Sequence, residues 1–192
     1  GIIKEVILFL EGKHEMVARD LQRRMNVAAQ ALEYEKAARL RDQLEAVKSV
    51  AEGQKIISAG RGDEDVVAFA RDRDEACVQI FFIRGGRLID RENFVLEGTL
   101  DEGPEQIMAS FIQLFYGSAA YIPPTILLQT EAEDMEVIRS WLGSMRGSKI
   151  ELRVPQRGQK KKLVEMVAEN AEQALAQLKA KWLADTGKTA EA

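Results

Sequence analysis

Cysteine and histidine are almost missing from this chain: Cys77 and His14 are single examples in 192 residues. One cysteine excludes an internal disulfide, and one cysteine with one histidine leaves too few ligands for a Cys/His zinc site. A reducing, cytoplasmic setting fits that composition. Long apolar runs are also lacking. The densest, Ile80 to Ile83, falls far short of the roughly 20 residues that cross a bilayer, so no membrane partner is expected. Gly1 to Leu10 carries Lys4 and Glu5 among its apolar residues and has no small-residue cleavage site, which argues against a signal peptide. Proline is absent between Lys13 and Ile57, and Gly53 is the one glycine there.

What the chain does contain is ordinary for a globular protein, with 46% hydrophobic and 30% charged residues. Its length slightly favours two small domains over one large one. A net charge of -4 gives no chain-wide attraction for nucleic acid, so any DNA contact has to be local, as at Arg23-Arg24 or Lys160-Lys161-Lys162.

The proline-free stretch is helical by its spacing. Apolar residues recur at Val17, Leu21, Met25, Ala28 and Leu32, and again at Ala37, Leu40, Leu44, Val47 and Ala51, leaving a narrow stripe that requires a partner. Ser58-Ala59-Gly60-Arg61-Gly62 breaks the pattern and marks the expected domain boundary. Beyond it, Asp65–Arg71, Ala76–Ile83 and Leu88–Leu96 read as three antiparallel strands, the last two joined through Gly85-Gly86. Pro104 opens a helix burying Ile107, Met108, Phe111 and Phe115, and a short strand follows at Thr125–Gln129. Asp134 is the expected N-cap of a helix burying Val137, Ile138, Trp141, Leu142 and Met145, ended near Gly147. Lys149–Val154 reads as a strand, and a long helix from Gly158 carries Leu163, Met166, Val167, Ala171, Ala174, Leu175, Leu178 and Trp182.

The run Met25-Asn26-Val27-Ala28-Ala29, then Leu32-Glu33-Tyr34-Glu35, Ala37-Ala38 and Leu40-Arg41-Asp42 resembles the UVR motif of bacterial excision repair. That motif occurs in UvrB and UvrC. Flanking segments, among them Phe9–Lys13, Asp74–Phe82, Leu96–Thr99 and Val154–Gly158, resemble the middle of the UvrC family over essentially the whole chain. The resemblance implies a segment from the middle of a longer nuclease subunit of the excinuclease, in which case Gly1 is not a native start. It also implies the fold, α+β: an α-helical hairpin followed by a ribonuclease H-like domain of order βββαβαβα. The expected boundaries are residues 1–57 for the hairpin and its flank, 63–185 for a catalytically inactive ribonuclease H-like domain, and 186–192 for a frayed tail.

In the UVR family the hairpin turns near the segment that is Leu32–Glu35 here, which puts Tyr34 at the tip as a candidate anchor for UvrB. Glu33, Glu35, Arg39, Arg41 and Asp42 add charge complementarity, although a solvated face is the plainer role for each alone. Self-association of the hairpin in the absence of UvrB is the alternative pairing.

Ribonuclease H-like nucleases hold two metal ions roughly 4 Å apart on carboxylates from the first strand, the fourth strand and the last helix. Set against the catalytic domain of UvrC, the first two positions fall at Ala70 and Gln129, neither a carboxylate. Asp65, Asp72, Asp74, Glu131 and Asp134 lie nearby and read as solvated strand ends and a helix cap. The expectation is therefore a non-catalytic domain without metal or cofactor, against the alternative of a metal-dependent nuclease. UVR-containing regulators partnered with protease chaperones usually carry paired-cysteine zinc motifs, which one cysteine cannot supply. Arg157, Lys160, Lys161 and Lys162 open the last helix, where positive charge opposes the helix dipole. With Arg153 they form a candidate phosphate-backbone contact, weighed evenly against a solvated basic turn.

Overall fold

A computed structural model describes residues 14–58 and 62–189. The segment Phe9–Lys13, the leader reading of Gly1–Leu10, the centre of the linker at 59–61 and the last three residues lie outside the described residues. The chain divides into two compact units, Gly1–Lys55 and Ile56–Ala192.

The first unit is a hairpin of helices α1 (His14–Gln30) and α2 (Tyr34–Ser58), the last residues of α2, from Ile56, counting with the second unit. Val17, Leu21 and Ala28 on α1 are buried with Leu40 and Leu44 on α2, and Ala18, Met25, Ala37 and Val47 pack around them. This is the stripe read from the sequence, without Ala51 and Leu32. Leu32 does not continue it, because the helix has already ended: Leu32 has φ 62 and is 69% exposed. The Glu33 amide donates to the Ala28 carbonyl (2.9 Å) and the Leu32 amide to that of Ala29 (3.1 Å). Those two bonds define a Schellman turn, in which the left-handed residue is usually glycine. Sequence spacing alone could not reveal the stop, since Ala28 to Leu32 is an ordinary helical interval.

The second unit is a five-stranded mixed sheet with helices on both faces. Its elements are β1 (Glu64–Asp72), β2 (Glu75–Arg84), β3 (Arg87–Glu97), α3 (Pro104–Gly117), β4 (Thr125–Leu128), α4 (Met135–Arg146), β5 (Glu151–Arg153) and α5 (Gly158–Thr189). The strand order is β3-β2-β1-β4-β5, with the first two pairings antiparallel and the last two parallel. The expected βββαβαβα order is the observed one. Gly85 and Gly86 both take positive φ, 57 and 75, as a tight hairpin turn of this hand requires. Strand β3 is one edge of the sheet.

Alternation along the central strands builds two cores at once. Val67, Val78, Ile80, Ile126 and Leu128 face α3 and α4, with Phe82, Phe94, Phe111 and Phe115 forming an aromatic group whose ring centres lie 5.5–6.0 Å apart. Val66, Ala68, Phe81, Ile83 and Leu127 face Leu163, Val164 and Val167 of α5, joined by Ile57. A strand buried on both faces reads as a continuous apolar run, which is why Val66–Ala70 lacks a polar side. Helix α5 runs on past Asp185 to Thr189.

Four side chains depart from the expected pattern. Asp134 stands at the N-cap of α4 but with φ 55 and no side-chain cap bond; its carbonyl accepts from Val137 and Ile138 instead. Val137 is exposed by 68% and Met145 by 44%, because Ile138 and Leu142 take the inward positions one turn apart and Met145 lies in the last turn before Gly147. Asp65, read as solvated, is 1% exposed.

Asp65 survives burial because two distant residues reach it. Tyr116 Oη donates to its Oδ2 at 2.6 Å, and an Arg84 Nη donates to its Oδ1 at 2.8 Å. Arg84 also donates to the carbonyls of Ile83 and Glu64 and lies 4.9 Å from the centre of the Tyr121 ring, whose hydroxyl donates to Asp63. Burial raises the Asp65 carboxyl above its usual range against those two bonds, and burial beside Asp65 pushes the Tyr116 phenol well up. A carboxyl whose folded pKa is raised binds protons more readily folded than unfolded. Its contribution is therefore full below the ordinary value near 4 and lost as pH rises through the folded value. In Asp65→Asn, Arg84 is left without its buried counter-ion, and urea unfolding is expected to show a loss of about 3 kcal/mol. The deficit relative to wild type should shrink as pH rises above 4.

Candidate functional site

Three places can be weighed as functional: the position of a ribonuclease H-type metal centre, the hairpin tip, and the basic turn before α5.

The first lies where β4 stops beside the middle of β1. The Gln129 amide donates to the Val67 carbonyl at 3.1 Å, extending the β1–β4 ladder by one residue. Its side-chain Oε1 accepts from the Phe69 amide at 2.8 Å, so this side chain closes the ladder beside Ala70. Ala70 opposes buried Cys77 on β2, whose thiol burial pushes up in pKa. The nearest strand-end carboxylates have other partners: Asp72 pairs with Lys179, and Asp74 Oδ1 accepts from the Leu100 amide at 3.1 Å. Among the described residues no group of three or more His, Cys, Asp or Glu could hold a metal ion. The buried Asp65 stands at the opposite, N-terminal end of β1 and is held by Tyr116 and Arg84.

The hairpin tip is apolar and uncovered within its own unit. Tyr34, the first residue of α2, is 68% exposed, Leu32 69% and Val27 60%. A leucine in the left-handed region costs about 1 kcal/mol relative to right-handed backbone. The charges around it are satisfied along the helix: Lys36 donates to Glu33 at 2.8 Å, Arg41 to Asp42 at 2.9 Å, and Arg39 reaches the Glu35 carbonyl at 3.5 Å. All of these residues are exposed, and solvent-exposed pairs of this kind contribute little, so they exchange partners at little cost. Leu32 fits both the helical stripe by its spacing from Ala28 and the turn that the motif implies at Leu32–Glu35; its left-handed backbone decides for the turn.

The basic turn is less uniform than its sequence. Lys160 Nζ is paired with Glu64, a side chain only 5% exposed at the start of β1. Arg153 pairs with Glu151 at 3.2 Å and Lys161 with Glu165 at 3.8 Å, both at exposed positions. Arg157 and Lys162 are exposed. No helix among the described residues is long and apolar enough to cross a membrane.

A helical hairpin with an open apolar tip, followed by a mixed five-stranded sheet with helices, defines a two-unit protein whose second unit has the ribonuclease H-like order. The UvrC ribonuclease H-like domain model matches residues 63–178, and the UvrB/uvrC motif model matches residues 16–50. The chain belongs to the UvrC family. It is 48% identical over 170 residues to UvrABC system protein C of Acetivibrio thermocellus, which covers 88% of this chain and 27% of that protein. The corresponding protein of Dehalococcoides mccartyi is 44% identical over 185 residues, 96% of this chain and 30% of its own length. That of Moorella thermoacetica is 47% identical over 169 residues, 88% and 28% respectively. The chain thus spans under a third of the length of the curated relatives it matches.

Proposed function

We propose that this chain is the central interaction segment of a UvrC-type subunit acting in cytoplasmic nucleotide excision repair, binding UvrB through its hairpin while its α+β domain serves as a non-catalytic scaffold. The observation that carries this reading is Tyr34: an aromatic ring 68% exposed at the tip of a motif shared by UvrB and UvrC. A two-helix unit has too small a core to hide such a ring, and aromatic anchors of this kind dominate interface energies. Glu33, Glu35, Arg39, Arg41 and Asp42 flank it and set orientation and on-rate more than affinity. In a pull-down of UvrB from the same organism, the wild-type chain retains it and Tyr34→Ala retains about tenfold less or worse. Equal retention by both would remove Tyr34 as the anchor.

The non-catalytic reading is supported by Ala70 and Gln129, which lack the carboxylates a two-metal site needs, and by the partners that hold Asp65, Asp72 and Asp74. The competing reading, a metal-dependent nuclease within this chain, predicts DNA cleavage in Mg²⁺ or Mn²⁺ that an alanine at one of those acids abolishes. No cleavage above a metal-free control is expected.

Arg153, Arg157, Lys160, Lys161 and Lys162 remain the candidate phosphate contact, with Lys160 contributing least because Glu64 neutralises it. Replacing Arg153, Arg157, Lys161 and Lys162 by alanine should weaken DNA binding at low salt by about tenfold and flatten its salt dependence. An unchanged affinity in an electrophoretic shift assay rejects the contact.

A further inference from the structure

The hairpin tip contains a conflict between backbone and side chain. Leu32 occupies the left-handed position of a Schellman turn, where glycine fits without strain, and yet its side chain is 69% exposed and buries little within the hairpin. Neither helix stability nor core packing gains from a leucine there. What the turn does achieve is to hold an aliphatic side chain outward beside Tyr34, with Val27 also exposed one turn before the end of α1. Strained, exposed apolar residues of this kind mark a surface that is completed by something else.

We propose that Leu32 is a second anchor, beside Tyr34, for the UVR hairpin of a UvrB-type partner. This rests on the reading of the hairpin given above and adds the residue and the backbone device. The occupant follows from the motif itself: residues 16–50 match one sequence model described for both UvrB and UvrC, so the partner presents a tip of the same kind. Two like tips meet isologously, each apolar group packing against the other's. The exposed charges at the tip run from acid to base along the chain, Glu33 and Glu35 before Lys36 and Arg39, so an antiparallel two-fold arrangement sets acid against base.

The test uses Leu32→Gly, which relieves the backbone while deleting the side chain. Thermal unfolding of the whole chain should show the hairpin unchanged or a few degrees more stable. Retention of purified UvrB should nonetheless fall about tenfold, and Leu32→Met, which keeps an apolar side chain, should restore most of it. Unchanged retention by Leu32→Gly, with Tyr34→Ala still defective, overturns Leu32 as an anchor and leaves the hairpin reading standing. No retention of UvrB by the wild-type chain overturns both. Loss of a dimer of this chain in sedimentation, without loss of UvrB, assigns the tip to a second copy and overturns the proposal.

Discussion

The second unit depends on one constraint: β1 has to be hydrogen-bonded on both edges and buried on both faces at once. It pairs antiparallel with β2 over its whole length and parallel with β4 over its first half, while Val66 and Ala68 serve one core and Val67 and Phe69 the other. A strand so placed cannot slip by one residue, because the shift would exchange the two sets. The groups that anchor its ends follow from the same demand. Asp65 and Glu64 enter at the N-terminal end with Tyr116, Arg84 and Lys160 as partners, and Gln129 closes the other edge where β4 stops. Buried polar groups are tolerated at these ends because each finds its hydrogen bonds.

Much of this order was legible in the sequence, for identifiable reasons. The Gly85-Gly86 turn, the period-two strands and the change to helical spacing at Leu163 each depend on residues close together in the chain. What escaped depends on residues far apart or on backbone geometry. Asp65 reads as a solvated strand end because Arg84 and Tyr116, its partners, lie 19 and 51 positions away. Lys160 reads as one of a basic run because Glu64, which neutralises it, is 96 positions away. Leu32 fits the helical spacing perfectly well, and only the αL turn removes it from the stripe. Ala70 and Gln129 carry no signal in isolation; they acquire meaning only against the pattern of a related nuclease.

The two units illustrate different ways of meeting the same requirement for burial. The α+β unit builds two buried cores, one on each face of its sheet, against helices. Among the described residues the hairpin core buries five apolar side chains and leaves large ones outside, so its apolar balance is incomplete on its own terms. The unit with the smaller core carries the most exposed aromatic among the described residues, Tyr34.

The edge position of β3 has a consequence of its own. Two copies aligned antiparallel along this edge, related by a two-fold axis through the sheet, must place residues of equal parity opposite one another. Centring the axis on Arg91 sets Asp90 against Glu92 and Arg91 against itself; centring it on Glu92 sets two glutamates face to face. The middle of an eleven-residue edge is thus written in charges that repel their own mirror image, a guard against sheet-to-sheet polymerisation.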